Sequence, residues 1–273
     1  MFVSVGIAAE AQSLRKAYAA SAGGSYQSLT AAELDIARNG FIELLNDPRI
    51  TNERQNSWAR LGFQLRMFNG VLILAEKPNA RRGGGFFAFA TAKRLRHVLQ
   101  APHRFDDTNT GIIALDLFLS GHFRAAAWAT LHRADIDLAH TPSSLFVTFA
   151  EAAAVSHPQE LQYQIHGFAA HKCKTSACAE APAILSPGPL SWNEAAESKV
   201  TCLSQSSLQF KRYRDDVHEL GGTRNSVASA LFALNFQGFI HIEMERALRD
   251  QLIQREDKDA DSLRNQLLRC LAG

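Results

Sequence analysis

From residue 97 to the C-terminus, short β-prone apolar runs alternate with helical stretches, and no other feature constrains the fold as strongly. Residues 98–102, 125–131, 161–165, 239–242 and a very short run at 183–185 read as strands. Residues 111–120, 143–154 and 223–234 read as helices, and two more close the chain over 245–255 and 260–271. Parallel strands need a crossover between them, so this alternation predicts an α/β fold with a mainly parallel or mixed sheet flanked by helices. Length and composition agree: 273 residues, 46% hydrophobic and 21% charged, can fold around a large core without help from metal or disulfides.

The region before residue 97 has another character. The first sixty residues read as helical: Thr30 can cap a helix with Glu33 as its capping-box partner, and Leu34, Ile36, Phe41, Leu44 and Leu45 form an apolar stripe. Beyond Arg60, Phe68-Asn69-Gly70 between apolar runs reads as a hairpin. Lys77-Pro78-Asn79 is a turn, residues 81–85 are a basic glycine-rich loop, and 86–89 form another strand. The expected organisation is an N-terminal helical extension over 1–60 and an α/β domain over 61–273.

Open sheets with parallel strands place their sites beyond the carboxyl ends of the strands. Four such ends carry histidines and carboxylates: His103-Arg104-Phe105-Asp106-Asp107, His132-Arg133-Ala134-Asp135, Gln164-Ile165-His166-Gly167 and His241-Ile242-Glu243. Catalytic zinc takes three nitrogen or oxygen ligands and keeps one position open. His103, His166 and either Asp106 or Asp107 supply that set, and Glu243, with His241 on the same strand face, is the candidate general base. Arg133 can hold a substrate carboxylate or pair with Asp135. The Gly221-Gly222-Thr223-Arg224-Asn225 segment opens a helix and reads equally as an anion site or as an ordinary turn. A solvated face is the reading for Arg246 and Arg249.

The order of these pieces resembles the zinc-dependent N-acetylmuramoyl-L-alanine amidases and their wider superfamily of zinc exopeptidases and deacylases. In that family a Gly-His-Gly-Gly-x-Asp turn is followed by a strand ending near Thr-Arg-x-x-Asp, a strand ending in Ser-Ile-His-Ala, and a late catalytic glutamate. Here Pro102-His103-Arg104-Phe105-Asp106-Asp107, Leu131-His132-Arg133 with Asp135 and Asp137, Gln164-Ile165-His166-Gly167 and His241-Ile242-Glu243-Met244 stand at those places. The resemblance implies a phosphorylase/hydrolase-like fold and a zinc (Zn2+) dependent amide hydrolase. His103, Asp107 and His166 would be ligands, Glu243 the base, and the substrate a small cell-wall peptide or an acyl-amino acid. Asp107 keeps the four-residue spacing of the amidases, and Asp106 the three-residue spacing of carboxypeptidase-like relatives. The first-turn glycines are replaced by Arg104 and Phe105, and the family's helix-borne glutamate ligand has no counterpart beyond Asp116. A ligand-binding relative without catalysis is therefore the alternative.

Other classes find little support. Lys+Arg 29 against Asp+Glu 27 leaves a net charge of +2, and the basic runs at 93–96 and 211–214 are short, so no nucleic-acid partner is expected. No apolar run is long enough for a membrane span. Cys173 and Cys178 are close enough to bridge a small loop, or all four cysteines are independent thiols. The opening MFVSVGIAAEAQ reads either as the remnant of an export signal or as the start of a helix. Periplasmic or secreted localisation is the expectation, with the cytoplasm as its alternative.

Overall fold

The computed structural model describes residues 3–92, 96–255 and 257–273. Its strands are β1 (Phe63–Phe68), β2 (Val71–Glu76), β3 (Phe86–Ala90), β4 (Arg96–Ala101), β5 (Phe123–Trp128), β6 (Gln162–Phe168), β7 (Ala183–Ser186), β8 (Lys211–Arg212) and β9 (Phe239–Glu245). Among the described residues they form one sheet in the order β1-β2-β3-β5-β4-β6-β9-β7-β8. Strands β5, β4, β6 and β9 run parallel, while β1, β2 and β3 add to β5 as an antiparallel meander. On the far side β7 runs antiparallel to β9. This is the predicted helix-flanked α/β architecture with a mixed sheet.

Local chemistry explains the elements. Asn69 and Gly70 take positive φ values of 37° and 75°, the backbone a two-residue hairpin needs, and so fix the β1–β2 register. Helix α2 (Ala31–Asn46) begins with the full capping box: Glu33 N donates to Thr30 Oγ1 at 3.2 Å, and Thr30 N donates to Glu33 Oε2 at 2.8 Å. Along β2 and β3 the side chains alternate: Ile73, Phe86 and Ala88 join one core, Leu72, Leu74, Phe87 and Phe89 the other.

The two cores lie on opposite faces of the sheet. One is covered by α4 (Thr110–Leu119), α7 (Glu194–Gln205) and α10 (Lys258–Ala272), the other by α2, α3 (Asn52–Arg60) and α5 (Leu145–Ser156). The N-terminal helices thus share their core with the sheet: the Phe41 ring lies 4.9 Å from that of Trp58 and 4.8 Å from that of Phe87. Ahead of them, α1 (Val3–Ala20) takes in most of the apolar opening, of which Met1 and Phe2 lie outside the described residues.

Several readings need correction. β6 and β9 run three residues past the expected ends, so His166 and Glu243 sit inside paired strands; polar side chains there ended the apolar pattern without ending the backbone ladder. Helix α7 was not foreseen, because only Ala196, Val200 and Leu203 of its twelve residues are buried. In the basic run at 211–214, Lys211 and Arg212 form edge strand β8, and Arg212 pairs with Glu197. Of the run at 93–96, residues 93–95 lie outside the described residues and Arg96 opens β4. Arg249 is not on a solvated face. In α9 (Arg246–Leu252) it is 3% exposed and donates to the carbonyls of Met244, Phe168 and Thr108. Gly167 makes room for it, since a Cβ there would stand 2.5 Å from the guanidinium carbon. The cysteines are not independent thiols: they form two bridges, Cys173–Cys178, which was one of the two readings, and Cys202–Cys270, which ties α7 to α10.

Candidate metal centre

The turn after β4 brings the first residues together. Asp106 N and Asp107 N both donate to the His103 carbonyl, at 3.0 and 2.9 Å, closing a helical turn that puts residues 103 and 107 on one side. Asp107 Oδ2 lies 3.3 Å from His103 Nδ1 and 3.5 Å from His166 Nδ1, so two imidazoles and one carboxylate converge. Both rings are buried, with their centroids 4.9 Å apart.

The outer nitrogens explain the inner ones. His103 Nε2 is 2.9 Å from Asp137 Oδ1, and His166 Nε2 is 2.9 Å from Gln164 Oε1. Burial pushes the Asp137 carboxyl up, but its bonds to His103 and the charge of Arg133 hold it at about 2, so it is an acceptor only. His103 Nε2 therefore carries a proton, and the Nδ1 atoms of both rings face Asp107. Burial would raise the Asp107 carboxyl too, yet the two histidines keep it below the usual carboxylate range. Two imidazole nitrogens and a carboxylate oxygen that converge in this way could hold a cation between them. Burial and the neighbouring His103 hold His166 below the ordinary imidazole pKa. Two imidazole nitrogens and a carboxylate suit zinc, as do the Nε2 partners that orient each ring.

A second set shares His166. The His241 ring stacks 4.5 Å from it, and His241 Nε2 lies 3.8 Å from Glu243 Oε1. Parallel pairing of β6 with β9 sets these positions, with Gln164 opposite His241 and His166 opposite Glu243. Burial first, and then the Asp107 charge, push the Glu243 carboxyl up to about 8. That is the environment of a proton-transferring carboxyl.

Asp106 lies apart from both groups. Three residues after His103 it points to the next loop, where its Oδ2 accepts Arg133 N at 2.7 Å and its Oδ1 lies 3.5 Å from His132. Asp116 is remote as well, bound to Arg15 and Arg255. Arg133 pairs with Asp137 at 2.8 Å rather than with Asp135, and its half-exposed side chain faces a cleft of about 360 Å³. His140 binds the same Asp137 carboxylate at 3.0 Å. Asp137 was noted in the sequence only as part of the second landmark; its position between three cationic or imidazole groups is tertiary. Tyr213, His218 and Arg224 also line the cleft, and sequence reasoning gave no role to the first two. The Gly221–Asn225 segment does open a helix, α8 (Ser226–Ala233), with Asn225 as its cap.

No protein-family model matches the chain, and no curated protein matches it in sequence. Among solved structures it is similar to N-formylglutamate amidohydrolase from Ralstonia eutropha JMP134, at 11% identity and a TM-score of 0.50 over 70% of this chain and 96% of that one. A candidate carboxypeptidase A from Shewanella denitrificans OS-217 matches at 10% identity and a TM-score of 0.40, over 69% of this chain and 59% of that one. The likeness to the first of these shows the fold, and the polar cluster lies toward the carboxyl ends of the parallel strands β4, β6 and β9.

Proposed function

We propose that this chain is a zinc-dependent hydrolase of an amide bond. The observation that carries the reading is the convergence of His103 Nδ1, His166 Nδ1 and Asp107 Oδ2, with the Nε2 of each ring turned to an oxygen. Zinc held by these three atoms would supply a Lewis acid for the scissile carbonyl and would lower the pKa of water there. Glu243, across the β6–β9 pair from His166, accepts the water proton and delivers it to the leaving nitrogen as the C–N bond breaks. Its raised pKa reflects burial beside a second carboxylate, so Glu243 ionises more readily when a cation shares the cluster.

The substrate we favour is an N-acyl amino acid or short acylated peptide. Arg133 and Arg224 line the cleft, and among the described residues Arg224 has no ion-pair partner, so a carboxylate-bearing substrate meets complementary charge. The name of the Ralstonia eutropha neighbour supports that class over a cell-wall peptide amide, the other substrate suggested by the amidase resemblance. The two disulfides support an oxidising compartment, and with it the periplasmic or secreted location.

Elemental analysis tests the reading on the purified wild type and on His103→Ala and His166→Ala. The expected result is about one zinc per chain in the wild type and none in either variant. Full metal content together with full activity in His166→Ala would remove His166 from the centre. A wild type without metal after zinc is added back would leave the fold standing and end the hydrolase reading.

A further inference from the structure

A chain of buried amides crosses the sheet behind the centre and ends on His166. Gln162 Nε2 donates to the Ala150 carbonyl at 2.9 Å, Gln100 Nε2 to Gln162 Oε1 at 3.4 Å, and Gln164 Nε2 to Gln100 Oε1 at 2.8 Å. Gln164 Oε1 then meets His166 Nε2 at 2.9 Å and also accepts Asn225 Nδ2. All three glutamines and Asn225 are 2% exposed or less. A side-chain amide can face either way, so the direction of such a chain must be imposed from its ends.

Both ends are anchored by backbone groups that cannot flip. The Ala150 carbonyl only accepts, so Gln162 must offer it Nε2, and each amide behind follows in turn until Gln164 is left with Oε1 toward His166. At the other end, Asn225 Oδ1 accepts Val227 N at 2.9 Å and Ala228 N at 3.2 Å at the start of α8. That leaves Asn225 Nδ2 as the atom facing Gln164, which again demands Oε1 there. Reversing any one member sets oxygen against oxygen or hydrogen against hydrogen somewhere along the line, in a place water does not reach.

We propose that this doubly anchored amide relay fixes the tautomer of His166, holding the proton on Nε2 and the lone pair on Nδ1, and that Gln164 is its positioning residue. The inference rests on the metal reading only for its consequence, because the tautomer itself belongs to the metal-free chain. Without the relay, Asp107 Oδ2 at 3.5 Å is the acceptor that draws the proton to Nδ1 and closes the centre to a cation.

The test is 15N NMR of the histidine-labelled, metal-free full chain, together with zinc affinity by chelator competition. In the wild type His166 shows a protonated Nε2 and an unprotonated Nδ1. Gln164→Leu removes the acceptor, moves the proton to Nδ1 and weakens zinc binding about 10–100-fold, the usual effect of losing such a partner. Gln164→Glu combined with Gln162→Leu, which frees Gln100 to turn its Nε2 to the new carboxylate, restores an acceptor and brings affinity back toward the wild-type value. Should Gln164→Leu fold poorly, Gln162→Leu combined with Asn225→Asp tests the same point. The aspartate keeps the α8 cap but withdraws the donor, the leucine frees the far anchor, and the relay then reverses, giving the Nδ1–H form. A wild type with the proton on Nδ1 overturns the proposal, as does a folded Gln164→Leu that binds zinc as tightly as the wild type; zinc binding by the wild type would still support the metal reading. The Nε2–H tautomer in a wild type that binds no zinc has the opposite meaning: the relay stands and the metal reading falls.

Discussion

One face of the sheet is built in two ways. Over the antiparallel meander it presents Leu72, Leu74, Phe87 and Phe89 to Phe41, Trp58 and Phe149. Over the parallel strands the same face presents Gln100, Gln162, Gln164, His166, His241 and Glu243, with little more exposure. The opposite face beneath β6 and β9 stays apolar, with Tyr163, Ile165, Ile240 and Ile242. Burial is therefore alike in the two halves while its consequences differ. Apolar burial stabilises, roughly in proportion to area, whereas a buried polar group costs stability unless every donor and acceptor is matched. The meander and its helices hold the fold, and the parallel half spends some of that stability on chemistry.

Substitutions in the two halves should therefore have crossed effects. Glu243→Gln is expected to lower kcat about 10²–10⁴-fold, the usual contribution of a positioned proton-transfer group. Its stability should not fall. A carboxyl whose folded pKa is about 8, against an ordinary value of 4.5, loses stability as pH rises between those values, so the metal-free glutamine variant at pH 7 should unfold at higher urea than the wild type. Phe41→Ala is the mirror case. Removing a fully buried ring from the aromatic cluster should cost about 3–5 kcal/mol in urea unfolding, while kcat per folded molecule stays near wild type. A Glu243→Gln chain as unstable as Phe41→Ala would erase the distinction between the halves.

The meander and helix α2 were legible because their signals are local. Asn69-Gly70 specifies a turn, Thr30 with Glu33 specifies a helix start, and both appear in the fold as read. His103, Asp107, His166 and Glu243 could be singled out because strand ends in such sheets collect function, and the structure does bring them together. The choice between Asp106 and Asp107 was not legible, since it turns on which side of one helical turn each carboxylate leaves. Asp137 and the glutamine relay were less legible still. Gln100, Gln162 and Gln164 look like the solvent-facing positions of an alternating strand, and only α5 and α8 packed above them make those positions interior.

His97 extends the comparison to pH. At the start of β4 it has φ of 67°, and its Nδ1 accepts Leu161 N at 2.9 Å, a bond only the unprotonated nitrogen can make. Burial, and then the charge of Lys199, lower its pKa to about 4. A histidine depressed in the folded state stabilises fully above its unfolded value near 6.5, and that stability is lost as pH falls toward 4. The loss amounts to on the order of 3 kcal/mol between those limits. His97→Asn tolerates the left-handed backbone and does not titrate, so its stability should be flatter across this window in parallel urea titrations. An unchanged slope would assign the acid sensitivity to other groups of the parallel half.

The smallest effect is expected at the rim. Arg133 is half-exposed and shares Asp137 with His103 and His140, so it adds little to the fold. Its guanidinium faces the cleft, where a substrate carboxylate would bind equally in ground and transition states. Arg133→Gln should therefore raise KM roughly tenfold for an N-acyl amino acid, a change of about 1.4 kcal/mol, and leave kcat within a few-fold. The matching substrate with its carboxylate amidated separates the two roles of this residue. If Arg133 binds the carboxylate, the amidated substrate has a high KM in the wild type that the substitution does not raise further. If Arg133 acts instead by holding Asp137, and through it the His103 ring, kcat falls for both substrates alike, and the cation that recognises the substrate must be sought at Arg224.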